Sequence, residues 1–591
     1  MFNWLHPGFI LIITGLLMIV LPEKIRRIAM IAGPTLAAAA VVLLKEGSWL
    51  DYEFIPGLTL KLLEVDRLSM MFGVIFAAGA LIAAIYSVNS GNKLENSAEA
   101  IYAGASMSAV FAGDWISMIF FWEIMAVASW LIILSSRTGA ASRAGFRYLL
   151  VHMFGGNMLL AGIILKITQG SFEIECLTGN QDLAFWLILI GVGVNAAIPP
   201  LHSWIADAYP EAPVGGTVYM ASYTTKVGVF FIIRLFAGTE LLLWFGVIMA
   251  IFGASMALIE NDLRRLFSYH IVSQLGYIVA AAAVGGALGI DGAAAHTFNN
   301  ILYKGVLFMC CGAVITATGK RKISQLGGLA KKMPLTAVCF LIASLAITGF
   351  PLLNGFVSKS LVMNAMAEGG YHVAEIFLMI ASVGTLLSIA LKVNYFVFFG
   401  KGNGEDTEVK PIPVNMKIAM VMGAAGCVLV GIMPGLLYGL TPFGSDGHPF
   451  TVDHVTQYIQ LFAAGTVAFV MYLDHMAPHA MLTLDTDWFY RKPLKFTVEV
   501  ISIGVTGLFH WCHEIAVELV NRGNKHLHNP MALIRKETAY IVKRNMGIEL
   551  KPHTGIEEDD VLQKPAGRLV ATNILVGIGI AVAAALLIFP A

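Results

Sequence analysis

Apolar runs of roughly 18–25 residues recur along the whole of the chain, each long enough to cross about 30 Å of hydrocarbon as a helix. In lipid every backbone N–H and C=O must be satisfied internally, which only helices and closed barrels achieve. Barrel strands are alternating segments of about ten residues, and these runs do not alternate. With 57% hydrophobic and 13% charged residues, the composition is too apolar for a soluble protein of 591 residues. The sequence predicts an all-α polytopic membrane protein with about 16 transmembrane helices, multi-pass in a cell (inner) membrane.

The first two spans lie near Pro7–Leu21 and Ile28–Leu44, joined by the basic turn PEKIRR. The positive charges follow the first apolar run instead of preceding it, so that run reads as a retained helix and not as a signal peptide. Residues 45–66, with Pro56 and Gly57 between the β-prone pieces YEFI and LTLKLLEV, predict an external hairpin. Spans three to six follow near Leu68–Val88, Ala98–Gly113, Trp115–Ser135 and Phe146–Thr168. Spans nine to eleven lie near Glu240–Glu260, Leu266–Ala287 and Ala293–Ala317, and the twelfth starts at about Pro334. Spans thirteen to fifteen lie near Val373–Gly400, Lys417–Leu440 and Val455–Tyr472, and Leu569–Phe589 makes the last. Alternate loops carry Arg137, Arg143 and Arg147, then Arg264 and Arg265, then Lys320 to Lys332. By the positive-inside bias these loops, and residues 473–567, are cytoplasmic, with both chain ends outside. In residues 473–567 the Trp, His and acidic positions of Phe496–Asn521 favour an interfacial amphipathic helix over a spanning one.

Two apolar runs are interrupted. One breaks at Pro199 and Pro200 in GVGVNAAIPPLHSWIADAY, and the other at Pro351 in GFPLLNG, where proline removes a donor and crowds the preceding turn. Irregular backbone at membrane depth belongs where it is buried in protein or lines a wet cavity. Interrupted helices in corresponding halves, the broken helices 7 and 12, predict two internal repeats with a site at their interface. The expected organisation is residues 1–97 for helices 1–3 and 98–238 for a first repeat of helices 4–8. A second repeat of helices 9–13 takes 239–400, followed by helices 14–15 in 401–472, the amphipathic segment in 473–567 and the final span in 568–591.

Seven ionisable residues lie within apolar runs: Glu123, His152, Lys226, His296, Lys304, Lys359 and Lys392. Each costs a few kcal/mol at a helix centre on insertion scales, so such residues face protein or water and mark proton relays or ion paths. Lys392, near the end of its span, is placed to snorkel instead. His296 and Lys304 are eight residues apart, about 80° beyond two full turns, with Asn300 a turn from each. That predicts a ladder of His, Asn and Lys on one face. The six cysteines include no CxxC, and no haem, zinc, iron–sulfur, nucleotide, flavin or quinone motif is present, so no cofactor is assigned. Lys+Arg and Asp+Glu are equal at 38 each, which favours neither nucleic acid nor an acidic partner.

The stretches PPLHSWIADAYPEAPVGGTVYMASYTTKVG, NDLRRLFSYHIVSQLGYI, HTFNNILYKGVLFMCCG and GGLAKKMP resemble the motifs of the antiporter-like subunits shared by respiratory complex I, Mrp-type Na+/H+ antiporters and membrane-bound hydrogenases. The resemblance implies a proton-conducting unit with two half-channels from inverted repeats and a central polar axis, driven by a redox module or a linked ion gradient. It implies that Glu123 is the helix-5 glutamate, Lys226 the helix-8 lysine, His296 a helix-11 channel histidine, Lys304 the helix-11 lysine and Lys359 the exit residue. Where the family usually has a helix-7 lysine to pair with the glutamate, this chain has Asn195, with His152 as a substitute partner or Glu123 protonated at rest. The leading reading is a proton- or sodium-translocating subunit of a redox-driven respiratory or hydrogenase-type complex, with no redox centre of its own. The alternatives are a D-like component of an Mrp-type cation/proton antiporter and a non-pumping scaffold or bicarbonate-uptake partner. The partners implied are other membrane subunits, including homologous antiporter-like ones and a redox module.

Overall fold

The computed structural model describes residues 5–56, 58–400, 408–445, 447–478, 485, 486, 488, 492, 493, 495–527, 535 and 538. The predicted final span, Leu569–Phe589, and the stretch leading to it lie outside these. The chain divides into two units, residues 1–492 and 493–591.

In the first unit the helices are α1 (Pro7–Met18), α2 (Glu23–Leu43), α3 (Arg67–Ser87), α4 (Lys93–Phe111), α5 (Trp115–Leu134) and α6 (Gly139–Thr168). They continue with α7 (Leu183–Asn195), α8 (Trp204–Ala208), α9 (Val214–Met220), α10 (Thr224–Phe236), α11 (Glu240–Ile259) and α12 (Leu263–Val284). Next come α13 (Gly286–Thr318), α14 (Pro334–Thr348), α15 (Asn354–Glu368), α16 (His372–Thr385), α17 (Val414–Ile432), α18 (Pro434–Tyr438) and α19 (Val452–Met471). The hairpin predicted between α2 and α3 is present: β2 (Asp51–Ile55) pairs with β3 (Leu58–Lys61), and β1 (Gly47–Ser48) with β4 (Glu64–Val65), both antiparallel.

Ten helices among the described residues are long and apolar enough to cross a membrane, and three shorter apolar ones accompany them, so a count of 16 is not reproduced. Four other expectations shift. Beyond Thr385 the thirteenth span continues as a π-helix, Leu386–Phe399. The fourteenth ends at Ile432 and restarts as the short α18 behind Pro434. The fourth begins at Lys93, five residues before the apolar run, because Asn92 and Glu95 form a capping box. The second unit holds α20 (Lys495–Leu527), whose window Glu499–Asn521 has mean hydropathy 1.3 and is long enough to span. By length and composition it is a candidate span, where the sequence reading expects an interfacial amphipathic helix.

Burial and hydropathy run against each other in the centre. The α12 window is 94% buried at mean hydropathy 1.3, whereas the α11 window is only 56% buried at 2.3. A helix that faces lipid must be apolar, while one enclosed by other helices can carry polar groups if each finds a partner. Arg264, at the start of α12, is 6% exposed. Its guanidinium donates to the Pro210 and Ala212 carbonyls, both at 2.7 Å, and to Thr217 Oγ1 at 2.9 Å, pinning α12 to the chain that follows the first break.

At the membrane edge Asp66 caps α3, accepting from the Ser69 N–H at 2.7 Å and from Arg234 at 2.6 Å. Burial alone would raise its carboxyl, but the Arg234 charge and the Ser69 donors outweigh it and hold the pKa below the usual carboxylate value. A depressed folded pKa gives stability that is present above the unfolded pKa of about 3.9 and lost as pH falls through the folded one. Asp66→Ala is expected to cost about 1 kcal/mol at pH 7, with wild type and variant converging in strong acid. Thermal unfolding in detergent at both pH values checks this.

Candidate functional site

Both proline-marked breaks are real interruptions. Between α7 and α8 the chain passes through Ala196–Ser203, and between α14 and α15 through Gly349–Leu353. Each break holds a non-glycine residue in the left-handed region, Ala197 at φ 57° and Leu352 at φ 69°. Such strained backbone persists only where the surroundings over-determine it, and it gathers at functional sites.

Six of the seven predicted ionisable residues are buried. Lys226, His296, Lys304 and Lys359 are fully enclosed, and His152 and Lys392 nearly so. Lys226 Nζ donates to the Ala221 carbonyl at 2.7 Å and to Thr225 Oγ1 at 3.2 Å, so it caps the carbonyl end of α9 from the first turn of α10. Lys304 on α13 donates to the Phe267 carbonyl of α12 at 3.1 Å and lies close enough to Lys226 to feel its charge. Lys359 on α15 reaches back across the second break to the Thr348 carbonyl, at 3.2 Å. It also donates to Ser382 Oγ at 3.0 Å and stands 4.7 Å over the ring of Tyr277. Lys392 does not snorkel: it donates to the Leu258 and Glu260 carbonyls, at 2.6 and 2.8 Å, which end α11.

Of the His, Asn and Lys expected to share one face of α13, His296 and Asn300 meet through Tyr303, and Lys304 bonds elsewhere. His296 bonds Ser358 Oγ at 3.0 Å and Tyr303 Oη at 3.4 Å, and Tyr303 donates to Gln274 at 3.4 Å. Asn300 is a side branch that donates to Tyr303 at 3.3 Å. His270 on α12, which the sequence did not single out, binds Ser388 at 2.8 Å and lies within electrostatic reach of Lys304, Lys359 and Lys392. Lys226 on α10, Lys304 on α13, His270 on α12 and Lys359 on α15 are thus buried basic groups, each within electrostatic reach of the next. Neutral amines and imidazoles accept protons that their charged neighbours give up, and the low dielectric makes each occupancy sensitive to the next.

The structure does not bring Glu123 and His152 together. His152 points inward from α6, 4.1 Å from the ring centre of Tyr148 and 4.6 Å from that of Trp204, with the Asn195 amide beside it. Glu123 is exposed on the outer side of α5, against α6 at Gly156, where a Cβ would lie 2.2 Å from its Oε1. Sequence reasoning also missed Asp485, which accepts from Tyr269 at 3.0 Å and bonds His202, inside the first break, at 3.2 Å. Asp291, at the start of α13, holds the 441–445 loop by bonds from Thr441, Ser445 and the Phe443 N–H.

The family described as NADH:quinone oxidoreductase/Mrp antiporter, TM matches residues 112–388, which include both breaks and these buried basic groups. A Na(+)/H(+) antiporter component from Alkalihalophilus pseudofirmus is 30% identical over 75% of this chain and 64% of its own length. Hydrogenase-4 component B of Escherichia coli is 29% identical over 63% of this chain and 62% of its own length. An uncharacterized protein of Methanocaldococcus jannaschii is 30% identical over 61% of this chain and 79% of its own. The chain belongs to this antiporter-like family. It spans less than two thirds of the first two relatives. A chain of the membrane-bound sulfane sulfur reductase, an archaeal respiratory membrane complex, superposes with a TM-score of 0.67 at 21% identity, covering 77% of this chain and 99% of that one. The antiporter-like fold is thereby shared across assemblies of different chemistry, and what distinguishes this chain lies in its own side chains.

Proposed function

We propose that this chain is a proton- (or sodium-) translocating, antiporter-like subunit of a redox-driven respiratory or hydrogenase-type complex in the cell (inner) membrane. The observation that carries the reading is the enclosed series Lys226, Lys304, His270 and Lys359, basic groups that lie within electrostatic reach of one another and have no acidic partner among the described residues. In this reading 98–238 and 239–400 are the two repeats, each supplying a half-path. Glu123, outward at membrane depth, supports membership of a larger assembly, because a carboxylate there needs a neighbouring protein in place of lipid. The redox chemistry belongs to other subunits.

Lys359 bridges the second break, so Lys359→Ala should cut ion uptake by the purified complex in sealed vesicles about tenfold while leaving assembly intact. Unchanged uptake removes it from the path. The likeness to a Na(+)/H(+) antiporter component keeps a second reading, a part of an Mrp-type cation/proton antiporter. Uptake driven by a sodium gradient with no electron donor present separates the two.

A further inference from the structure

Two buried carboxylates stand apart from the buried lysines. Glu95 and Glu99 are one turn apart on α4, 4% and 0% exposed. Both face the start of α9, where a Cβ on Gly215 would lie 3.2 Å from Glu95 Oε1, 3.3 Å from Glu99 Oε1 and 2.6 Å from Ser87 Cβ. Only a residue without a side chain leaves room there, and the two acids converge on that one point.

Their surroundings are unequal. Glu95 accepts from the Asn92 N–H at 3.4 Å and from the Gly216 N–H, and it lies within reach of the Arg264 charge. Glu99 has a hydroxyl contact with Ser87 at 3.4 Å, but the Ser87 hydrogen is already given to the Ala83 carbonyl at 2.8 Å. Among the described residues nothing donates to Glu99 Oε1. The other ionisable neighbours are Tyr219, whose hydroxyl donates to the Ala80 carbonyl at 3.4 Å, and Arg264, held by Pro210, Ala212 and Thr217. An enclosed carboxylate without a donor is costly, whereas a carboxylic acid has an O–H to give and a carboxylate beside it to receive it.

We propose that Glu95 and Glu99 form a proton-holding pair, Glu99 carrying the proton and Glu95 the charge, which loads the buried lysines from the side of the basic loops. The proposal rests on the translocation reading above. The step is a proton transfer alone: the Glu99 O–H breaks, the proton ends on the neutral amine of Lys226, and Glu99 is reloaded from water. Tyr102, three residues beyond Glu99 on α4, shares a 2.7 Å bond with Thr224, two residues before Lys226.

The test uses the whole purified complex and two readouts, infrared spectroscopy and proton uptake in vesicles. Glu99→Gln should remove a protonated-carboxyl stretching band that shifts in heavy water and lower uptake at least about tenfold. Glu95→Gln should keep the band and lower uptake as well, and it stands in if the first variant fails to assemble. A band retained in Glu99→Gln, wild-type uptake in either assembled variant, or a wild-type band abolished by sodium overturns the proposal. Lys359→Ala measured alongside separates the failures. If it is impaired while Glu99→Gln is normal, only the pair is wrong; if it too is normal, the translocation reading falls.

Discussion

Lys226→Ala is expected to abolish ion uptake by the complex, or to uncouple it where neighbouring subunits continue alone. Lys226 is fully enclosed, and among the described residues its hydrogen-bond acceptors are the Ala221 carbonyl and Thr225 Oγ1. Neither is a counter-charge, so removing the lysine leaves no buried carboxylate behind, and a loss of uptake would report on the amine itself. Lys226→Arg should be nearly as damaging, since a guanidinium with a pKa above about 12 does not release its proton at working pH. Asn195→Lys should be poorly tolerated. Asn195 lies beside His152 while Glu123 faces away, so the added ammonium would meet an imidazole where a carboxylate is needed. Uptake in vesicles at matched protein levels checks each variant. Wild-type transport by Lys226→Ala would make the lysine a helix cap and nothing more.

The second large effect is on folding. A Cβ on Gly355 would stand 1.7 Å from the Ala346 carbonyl oxygen and 2.8 Å from its carbon, both main-chain atoms in the facing α14. No rotamer relieves a clash with backbone, so Gly355→Ala must push α14 and α15 apart at the second break, where Lys359 spans the gap to Thr348. The expected cost is about 3 kcal/mol or more, enough to empty the membrane of folded protein in a marginally stable chain. Gel filtration of the detergent extract should show little or no assembled material. Wild-type yield would mean that the break is more plastic than its packing indicates.

How far these features could be read in advance depended on what each residue costs in lipid. Lysine, histidine and glutamate within apolar runs are expensive, so Lys226, Lys304, Lys359 and Lys392 stood out at once, as did the prolines at both breaks. Which way a side chain faces was not legible, because helices such as α5 are apolar all round, and Glu123 turned out to face outward. Neutral polar residues carry a weaker signal, which is why Tyr303, Gln274 and Ser388 escaped notice although they hold the buried histidines His296 and His270. Glu95 was lost because the fourth span was started at its first apolar residue, and the spacing of Asn92 and Glu95 was the capping signal that would have recovered it; Glu99, one residue inside that span, was passed over as lying at its end. Asp485 meets His202 across 283 positions, a pairing that no local pattern announces.

The π-helical stretch Leu386–Phe399 makes spacing itself matter. Each residue added to or removed from an α-helix turns everything beyond it by about 100°, and a π turn is an α turn with a residue to spare. Lys392 meets the last carbonyls of α11 because that surplus has swung it there. Removing one of the apolar residues between Leu386 and Lys392, such as Leu387 or Leu391, would delete no side-chain hydrogen-bonding group from the site, yet it would leave the ammonium facing a different direction. In this segment, sequences that keep every side chain but differ in length are not equivalent, and an alignment that closes a one-residue gap there would match residues that point in different directions.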